Sequence, residues 1–327
     1  MAEMRRGFVE TINVEARVFL MRAEEIFQLA PIRHVRILDV AGLVKPVVES
    51  PFLERLRELT IGKQHLGDKL ARGLAESAHV SRLQSLHLGR NRLADAGAEA
   101  LAASPNLTNL RRLDLSENGI GDLGARAIAA SRWFEKLESL DLPINEIGFG
   151  GLEALAGSAR LPNLRALNMS VNRVGTQRGY AFHAEPISSR LRLLDLSENS
   201  INPASIGAII ACPYLRGLEH LDLNRNQLGN GGVETLAASD LVQSLRSLHL
   251  NSNQVGDEGA RALAHSPHIE GLTVLDLAYN PIHDAGAQAL LEAGVLRRLK
   301  KLGVPQLGLS QRMRRALQAR FGMPMTR

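Results

Sequence analysis

One sequence motif, repeated at a fixed interval, constrains the fold of this chain more than any other feature. Leucines that open an L-x-x-L-x-L triplet recur every 27 residues without insertion, from Leu56 to Leu299. Repetition at such a period is typical of stacked architectures in which each repeat contacts only its neighbours. The ninth position is Gln64 in the first repeat and asparagine in the next eight: Asn91, Asn118, Asn145, Asn172, Asn199, Asn226, Asn253 and Asn280.

Each repeat divides into a predicted strand and a predicted helix. The front half, as in LRRLDLSEN, alternates apolar and polar residues at period 2, which predicts a short strand with one buried face. A Gly-Asp pair such as Gly121-Asp122 follows, and we predict that this aspartate caps its own helix. The remainder, as in GARALAHS, consists of strong helix formers.

Two apolar columns are predicted to form the core between strands and helices. The first comprises Leu74, Leu101, Ile128, Leu155, Phe182, Ile209, Leu236, Leu263 and Leu290. The second comprises Val80, Leu107, Phe134, Leu161, Leu215, Val242, Ile269 and Leu296. Parallel strands lie about 4.8 Å apart, whereas helices are about 10 Å wide. We therefore expect a curved stack with the sheet on its concave face, in which the asparagines satisfy buried backbone groups.

The pattern LxxLxLxxNxLGDxGAxALAxS, from about Leu56 to Val304, resembles the ribonuclease-inhibitor-like class of leucine-rich repeats. This resemblance implies a right-handed α/β solenoid, a horseshoe that binds other macromolecules. The N-terminal stretch GFVETINVEARVFLMRAEEIFQLAPIRHVRILDV is similar to the segment preceding such repeats in uncharacterised bacterial proteins of planctomycete-type genomes. Those proteins often begin with a further short domain, which we expect to be missing here.

The predicted organisation has three parts. Residues 1–55 form an N-terminal helical cap and a degenerate first unit, residues 56–298 form nine repeats, and residues 299–327 form a final strand and a basic capping helix. The first helix is predicted from Glu15 to Ala30, with a degenerate strand at Val35 to Val40. Ser310 is predicted to cap the last helix. Such caps cover the apolar ends of a solenoid.

No catalytic or metal-binding motif is present. The sequence lacks a Walker loop, HExxH, a GxSxG elbow and zinc-spaced cysteines and histidines, so we expect no enzyme activity, cofactor or metal. The glycines of GNGGVE, Gly229 to Glu234, are interpreted as close helix packing rather than a phosphate site. The single cysteine, Cys212, stands in a serine column and is interpreted as a small packed residue. No apolar run could span a membrane, so a cytoplasmic monomer is expected.

The net charge of +5 is unevenly distributed. Residues 294–327 hold nine basic residues and no acidic one, which leaves −4 for the remainder. This basic end could bind nucleic acid, anionic lipid or an acidic protein, or it could simply keep the end cap soluble. Because no aromatic side chains interleave with the arginines, nucleic acid is not the partner we favour.

The residue between the second and third leucines of each triplet is expected to point out of the concave face. This column reads Thr60, His87, Asp114, Asp141, Asn168, Asp195, Asp222, His249, Asp276 and Gly303. Stacked like charges cost stability, so the aspartates could steer a basic partner. Alternatively, LDLSxN is a common sequence in such repeats, and the aspartates then indicate no particular partner.

Apolar residues interrupt the polar concave positions in the fourth to sixth repeats, at Pro143, Ile144, Val171 and Leu193. An apolar patch with an acidic rim is typical of an interface. The helix of the fifth repeat, GTQRGYAFHAEPISSR, is irregular, so that repeat could instead have decayed. The predicted partner-binding residues are Asp114, Asp141, Ile144, Val171, Leu193, Asp195, Glu198, Asp222 and Asp276.

The predicted function is a noncatalytic protein–protein interaction scaffold that binds a protein partner through its concave face. Resemblance alone suggests the alternative of a GTPase-activating or GTPase-regulating protein of the Ran-activating kind. Against that alternative, the characteristic loop of that family is not found and the C-terminus is basic rather than acidic. Fold analogy by itself cannot decide between the two functions.

Overall fold

Parallel strands and helices alternate along the chain. A computed structural model describes residues 2–5, 8–176, 190–305 and 307–321. The chain divides into two compact units, unit 1 (Met1–Leu167) and unit 2 (Asn168–Arg327). In each unit the strands form one layer and the helices another, so the predicted α/β solenoid is confirmed.

Unit 1 contains the N-terminal cap and the first repeats. Its strands are β1 (Ala2–Arg5), β2 (Phe8–Glu15), β3 (His34–Leu38), β4 (Glu58–Thr60), β5 (Ser85–His87), β6 (Arg112–Asp114) and β7 (Ser139–Asp141). Its helices are α1 (Ala16–Leu29), α2 (Val44–Val48), α3 (Asp68–Glu76), α4 (Ala94–Ala102), α5 (Asp122–Ala130) and α6 (Phe149–Ala156). The division between the units falls within β8 (Ala166–Asn168). β1 and β2 pair antiparallel, and the sequence analysis did not predict them. It did predict α1.

From β2 to β7, the strands of unit 1 pair in parallel and in chain order. From β4 onward, paired residues are 27 positions apart, as Leu59 and Leu86 are. The repeat period therefore sets the register, and equivalent residues of successive repeats lie side by side.

Unit 2 contains the later repeats and the C-terminal cap. Its strands are β9 (Leu193–Asp195), β10 (His220–Asp222), β11 (Ser247–His249), β12 (Val274–Asp276) and β13 (Lys301–Gly303), all parallel. Its helices are α7 (Pro203–Ile210), α8 (Gly229–Ala237), α9 (Asp257–Ala264), α10 (Asp284–Glu292) and α11 (Gln311–Phe321). Ser310 caps α11 as predicted, because its hydroxyl accepts the Met313 N–H at 3.2 Å. The predicted irregular helix of the fifth repeat, with Phe182, His183, Pro186 and Ser188, lies outside the described residues.

The predicted core columns are confirmed wherever the structure describes them. Their members are buried between the sheet and the helices, as is the central leucine of each repeat strand, for example Leu113 and Leu221. Cys212 is also buried, as predicted. The interpretation of the GNGGVE glycines as close packing holds only for Gly232, where a Cβ would lie 3.2 Å from Leu228 Cβ and 3.5 Å from Pro203 Cα. It is wrong for Gly231, which has open space, and for Gly229, which has open space and a left-handed φ of 55°. No helix among the described residues is long and apolar enough to cross a membrane.

The asparagine column satisfies buried backbone groups, as predicted. Asn118 Oδ1 accepts the N–H groups of Asn91 (2.9 Å) and Leu93 (3.2 Å), and its Nδ2 donates to Leu88 O (3.1 Å) and Ser116 O (3.0 Å). Each such amide joins its repeat to the preceding one. Asn91 differs, because its buried Oδ1 has no hydrogen-bond partner among the described residues.

The prediction that each aspartate of a Gly-Asp pair caps its own helix is wrong. Asp122 lies inside the first turn of α5, and its Oδ1 accepts the N–H groups of Gly148 (2.7 Å) and Gly151 (3.0 Å) at the start of α6. Stacking places the start of each helix beside the start of the next, so the carboxylate reaches the neighbouring helix. A Cβ on Gly151 would lie 2.9 Å from Asp122 Oδ1, which explains the glycine there.

Candidate partner-binding surface

The strand face is the side of the sheet opposite the helices, made by the first and third residues of each three-residue strand and by the turn that follows. The predicted partner-binding residues lie on this face in both units. Unit 1 holds Asp114, Asp141 and Ile144, and unit 2 holds Val171, Leu193, Asp195, Glu198, Asp222 and Asp276. Within the units, Asp114 lies directly opposite Asp141 and Asp195 opposite Asp222.

Five large apolar side chains on the described part of the strand face are exposed, Leu38 and Ile144 in unit 1 and Val171, Leu193 and Tyr279 in unit 2, and three of them are predicted partner-binding residues. Ile144 is 46% exposed in unit 1, and Val171 and Leu193 are 37% and 41% exposed in unit 2. The neighbouring strand leucines Leu140 and Leu194 are completely buried. The exposed residues therefore lie outside the fully buried core and leave apolar area in water.

The residue before the ninth position of the repeat adopts a left-handed backbone conformation. These residues are Lys63, Arg90, Glu117, Ile144, Val171, Glu198, Arg225, Ser252 and Tyr279. Their φ values include 56° at Ile144 and 54° at Val171. A β-branched residue in this region is a genuine outlier, and such strain costs on the order of 1–3 kcal/mol. The turn itself therefore disfavours isoleucine and valine at these two positions.

The strand-face aspartates make local hydrogen bonds that the sequence did not reveal. Asp195 Oδ1 accepts the backbone N–H of Ser197 at 2.9 Å and its hydroxyl at 2.7 Å. Asp222 Oδ1 similarly accepts the N–H of Asn224 at 2.8 Å. These are side-chain turns of the kind that aspartate and asparagine favour. The aspartates thus have a structural role, which supports the interpretation of LDLSxN as a common repeat sequence without a binding function.

Asp141 lies outside this pattern. The residue two positions later is Pro143, which has no N–H to donate. Burial and the nearby Asp114 raise the pKa of the Asp141 carboxyl, and His87 offsets only part of the increase. A half-buried carboxylate without this local donor would gain most from a cationic group of a partner.

In unit 2, the aspartates stand close enough to affect one another. Burial is the largest cause that raises the pKa of Asp222, and Asp195 and Asp276 raise it further, whereas the bond from Asn224 and the nearby His249 lower it. Glu198 differs, because Arg225 Nη1 lies 3.0 Å from its Oε1. The negative field of this face therefore arises from the aspartates more than from Glu198.

Unit 1 contains a cluster that the sequence reasoning missed. His87 lies between two carboxylates, with Nε2 3.3 Å from Glu58 Oε1 and Nδ1 3.6 Å from Asp114 Oδ2. Hydrogen bonds to Asp114 and Glu58 raise the pKa of His87 to about 9, although burial opposes them. The bond from His87 in turn lowers the pKa of Glu58. Asp114 also has a lowered pKa, because bonds from His87 and Ser116 outweigh its burial.

Comparison with a family model described as Leucine Rich repeat gives matches at residues 82–102, 106–129, 215–237, 243–264 and 272–291. The chain contains leucine-rich repeats in these segments. No curated protein sequence matches it.

Solved structures with a similar fold come from several sources. An internalin from Listeria monocytogenes is 24% identical, with 83% of this chain and 72% of that chain covered and a TM-score of 0.48. The Rad7–Elc1 complex from yeast is 20% identical, with coverages of 91% and 84% and a TM-score of 0.46. The TLR13–ssRNA13 complex is 19% identical, with coverages of 84% and 39% and a TM-score of 0.51. At these identities the likeness concerns the fold alone.

Proposed function

We propose that this protein is a noncatalytic scaffold that binds a protein partner through its strand face. The observation that carries the proposal is the exposure of Ile144, Val171 and Leu193 at positions where they do not serve the core. Ile144 and Val171 also adopt a left-handed backbone conformation that is unfavourable for β-branched residues. A benefit outside folding would explain why such residues are retained.

The surrounding charges favour a basic partner surface. Binding energy concentrates in a few desolvated residues, whereas a polar rim mainly excludes water and fixes orientation. Asp141 lies near Ile144 in the sequence of unit 1, and Asp195 and Asp222 lie on the strand face of unit 2 with Leu193. A partner carrying apolar anchors among lysines or arginines would match both features.

The test is capture of a partner from native lysate by the full chain. Leu193→Asp and Ile144→Asp should each abolish capture while circular dichroism and melting stay largely unchanged, because both side chains are exposed. Arg314→Glu with Arg315→Glu, in the basic cap, is the control and should retain the partner. Loss in the cap variant with retention in both strand-face variants would assign binding to the C-terminus instead.

A second pair of variants separates binding from folding. Asparagine tolerates a left-handed backbone better than isoleucine or valine does. Ile144→Asn and Val171→Asn should therefore melt at or above the wild-type temperature while capturing less partner. Lower melting temperatures together with unchanged capture would mean that these residues serve the fold.

Several finer features belong to the same proposal: a ribonuclease-inhibitor-like repeat class, a bacterial origin of the planctomycete type, a cytoplasmic location and a monomeric state. The alternative of a GTPase regulator stays a prediction. It would replace the scaffold if the captured partner were a GTPase whose hydrolysis rate rises on adding this chain, because a passive scaffold leaves that rate unchanged.

A further inference from the structure

The C-terminal end of unit 2 carries a concentrated positive charge. We call residues 294–327 the basic cap, since they hold nine basic residues and no acidic one. Including the repeat in front of them does not neutralise this charge, because residues 270–327 contain only four acidic residues: Glu270, Asp276, Asp284 and Glu292. An excess of one sign over such a surface attracts ligands of the opposite sign.

Two cations of the basic cap are used by the fold itself. Arg297 pairs with Glu270. Arg320 Nη2 donates to Ala293 O at 2.7 Å, and its guanidinium lies 5.0 Å from the centre of the Phe321 ring. The other basic residues in the described part of the cap are exposed and have no ion-pair partner among the described residues: Arg298, Lys300, Lys301, Arg312, Arg314 and Arg315.

The two carboxylates of α10 are engaged in local bonds. Asp284 Oδ1 accepts the backbone N–H of Ser310 at 2.8 Å, and Glu292 Oε1 accepts from the Gln288 amide. Both carboxylates keep their charge, but they offset only part of the charge of six unpaired cations. An anionic surface would therefore meet these cations without displacing an existing ion pair.

Helix α11 presents arginines on its outward side. Its buried stripe consists of Met313, Leu317 and Phe321, whereas Arg312 and Arg315, three residues apart, share an exposed side. The bond between Ser310 and Asp284 fixes the start of α11 beside the start of α10. The bond from Arg320 to Ala293 fixes its end beside the segment that carries Arg298. The exposed cations therefore belong to one end of unit 2.

Leu307 adds an apolar side chain to this cationic end. It occupies the ninth position of the last unit, where the eight preceding repeats carry a buried asparagine, and it is 90% exposed. Leu309 is buried, and Gly308 between the two leucines has a left-handed φ of 96°. The segment before α11 is thus anchored by Leu309 and leaves Leu307 in water, where it adds nothing to the core.

We propose that the basic cap binds an anionic lipid surface, with its arginines and lysines among the headgroups and Leu307 inserted at the boundary of the acyl chains. Basic residues close to an anionic leaflet are attracted by its negative surface potential. Stable attachment takes two signals, such as a basic patch together with an apolar group. The basic cap supplies both, and this site is separate from Ile144, Val171 and Leu193 on the strand face.

These features favour a lipid surface over a nucleic acid or an acidic protein. Proteins that bind single-stranded nucleic acid present exposed aromatic rings on which bases stack. The one aromatic residue of the basic cap, Phe321, is buried. A soluble acidic partner would pair with the arginines but would give Leu307 no environment like that of the acyl chains.

The experiment measures flotation of the full chain with lipid vesicles at low salt. One vesicle contains phosphatidylcholine with about one-third phosphatidylserine, and the other contains phosphatidylcholine alone. The wild type should bind the anionic vesicle and not the neutral one. Arg312→Gln with Arg315→Gln should weaken binding about twentyfold, since each basic residue near an anionic surface contributes roughly fivefold. Leu307→Ser should weaken it about tenfold, because it removes the burial of a leucine side chain.

Two matched controls remove the same groups elsewhere. Arg36→Gln with Lys63→Gln removes two exposed cations from unit 1, and Leu123→Ser removes a leucine of α5 that is 69% exposed. Both controls should bind the anionic vesicle like the wild type. Circular dichroism of all variants should match the wild type, because every replaced side chain is exposed.

Four results would overturn the proposal: equal binding to the neutral vesicle, equal loss in the controls, or unchanged affinity after replacing either the two arginines or Leu307. Tighter binding of duplex DNA or of a soluble glutamate peptide than of the vesicle, dependent on Arg312 and Arg315, would overturn the ligand class. Partner capture through Ile144 and Leu193 is measured without vesicles, so failure at the basic cap and failure of the scaffold function are distinguishable.

Discussion

The strand face of unit 1 at β4–β6 and the strand face of unit 2 at β9–β12 carry aspartates and a histidine at the same repeat position, but they differ in how these charges are paired. In unit 1, His87 lies between Glu58 and Asp114 and compensates their charge across neighbouring strands. In unit 2, Asp195 stands directly opposite Asp222, and each carboxylate accepts hydrogen bonds from its own turn.

This difference shows that one framework can carry two distinct surfaces. The register places residues 27 positions apart side by side, so the charge of a strand-face residue depends on the same position in adjacent repeats. A histidine in that column forms ion pairs only where its ring reaches the neighbouring carboxylates, as His87 does, whereas His249 lies between Asp222 and Asp276 with a ring nitrogen beside the Ser247 hydroxyl. We therefore expect a basic partner to be steered by the aspartates of unit 2 more than by Asp114, whose charge His87 compensates.

The largest expected effect concerns the framework that both units share. Asn118→Ala in unit 1 and Asn199→Ala in unit 2 should each lower the free energy of unfolding by roughly 1–3 kcal/mol, the cost of orphaning buried polar groups. Asn199 resembles Asn118, since its Nδ2 donates to Met169 O at 2.8 Å and Ser197 O at 3.0 Å. Chemical denaturation measures the unfolding free energy of both variants. Equal losses would mean that the two units share the same framework and differ only in their strand faces.

Asn91→Ala is the matched control for the asparagine column. Its Oδ1 is already without a partner among the described residues, whereas its Nδ2 donates to Ile61 O at 2.6 Å and Leu88 O at 2.9 Å. Removing it orphans fewer groups, so we expect a smaller loss than for Asn118→Ala. If all three variants unfold like the wild type, the column does not hold the repeats together.

A smaller effect should appear only in unit 1, as a dependence of stability on pH. The pKa of His87 rises from an ordinary value of 6.5 to about 9 in the folded protein, chiefly through Asp114 and then Glu58. Its ion pairs therefore stabilise the fold fully below pH ~6.5 and are lost as the pH rises through about 9. The melting temperature of the wild type should fall over this range more than that of His87→Gln.

His249→Gln in unit 2 is the control for that profile. His249 stands in register between Asp222 and Asp276, but a ring nitrogen lies 2.7 Å from the Ser247 hydroxyl, and among the described residues it makes no ion pair like those of His87. Its replacement should leave the slope between pH 6.5 and 9.5 as it is in the wild type. Equal flattening in both variants would remove the contrast between the two strand faces.

Much of the fold follows from the period of the sequence. A 27-residue repeat fixes the register, so the core columns and the asparagine column could be predicted from Leu113 or Asn118 and their equivalents. The partner of Asp122 could not, because that bond depends on how closely the start of α6 approaches the start of α5. β1 and β2 belong to no repeat, so the period carries no information about them.

The candidate site was predictable in part. The alternation within each strand indicates that Leu193 points outward, and the structure shows its exposure. The backbone strain at Ile144 and Val171 could not be predicted from the sequence, because a pattern of side chains does not specify φ. The cluster of Glu58, His87 and Asp114 was not predictable from one repeat, because only the register of neighbouring strands brings these side chains together.

The smallest expected effect tests whether the aspartates of unit 2 act beyond their own turns. Asp195→Asn with Asp222→Asn removes two charges but keeps the turns, because Asn168 already makes the same bonds to the Ser170 N–H (2.9 Å) and hydroxyl (2.8 Å). The variant should melt like the wild type yet bind a basic partner with a slower on-rate. Raising the ionic strength past ~0.15 M, where the Debye length is about 8 Å, should slow association of the wild type with the partner to a similar degree.

Asp195→Ala completes this last test, since alanine removes the turn bonds together with the charge. A lower melting temperature for Asp195→Ala than for Asp195→Asn would assign the stability to the turn and the association rate to the charge. If instead the on-rate is insensitive to salt and to both asparagine substitutions, the aspartates serve only their turns. The contrast with unit 1 would then be structural, because the acidic column would be kept for the hydrogen bonds that Ser197 and Asn224 donate.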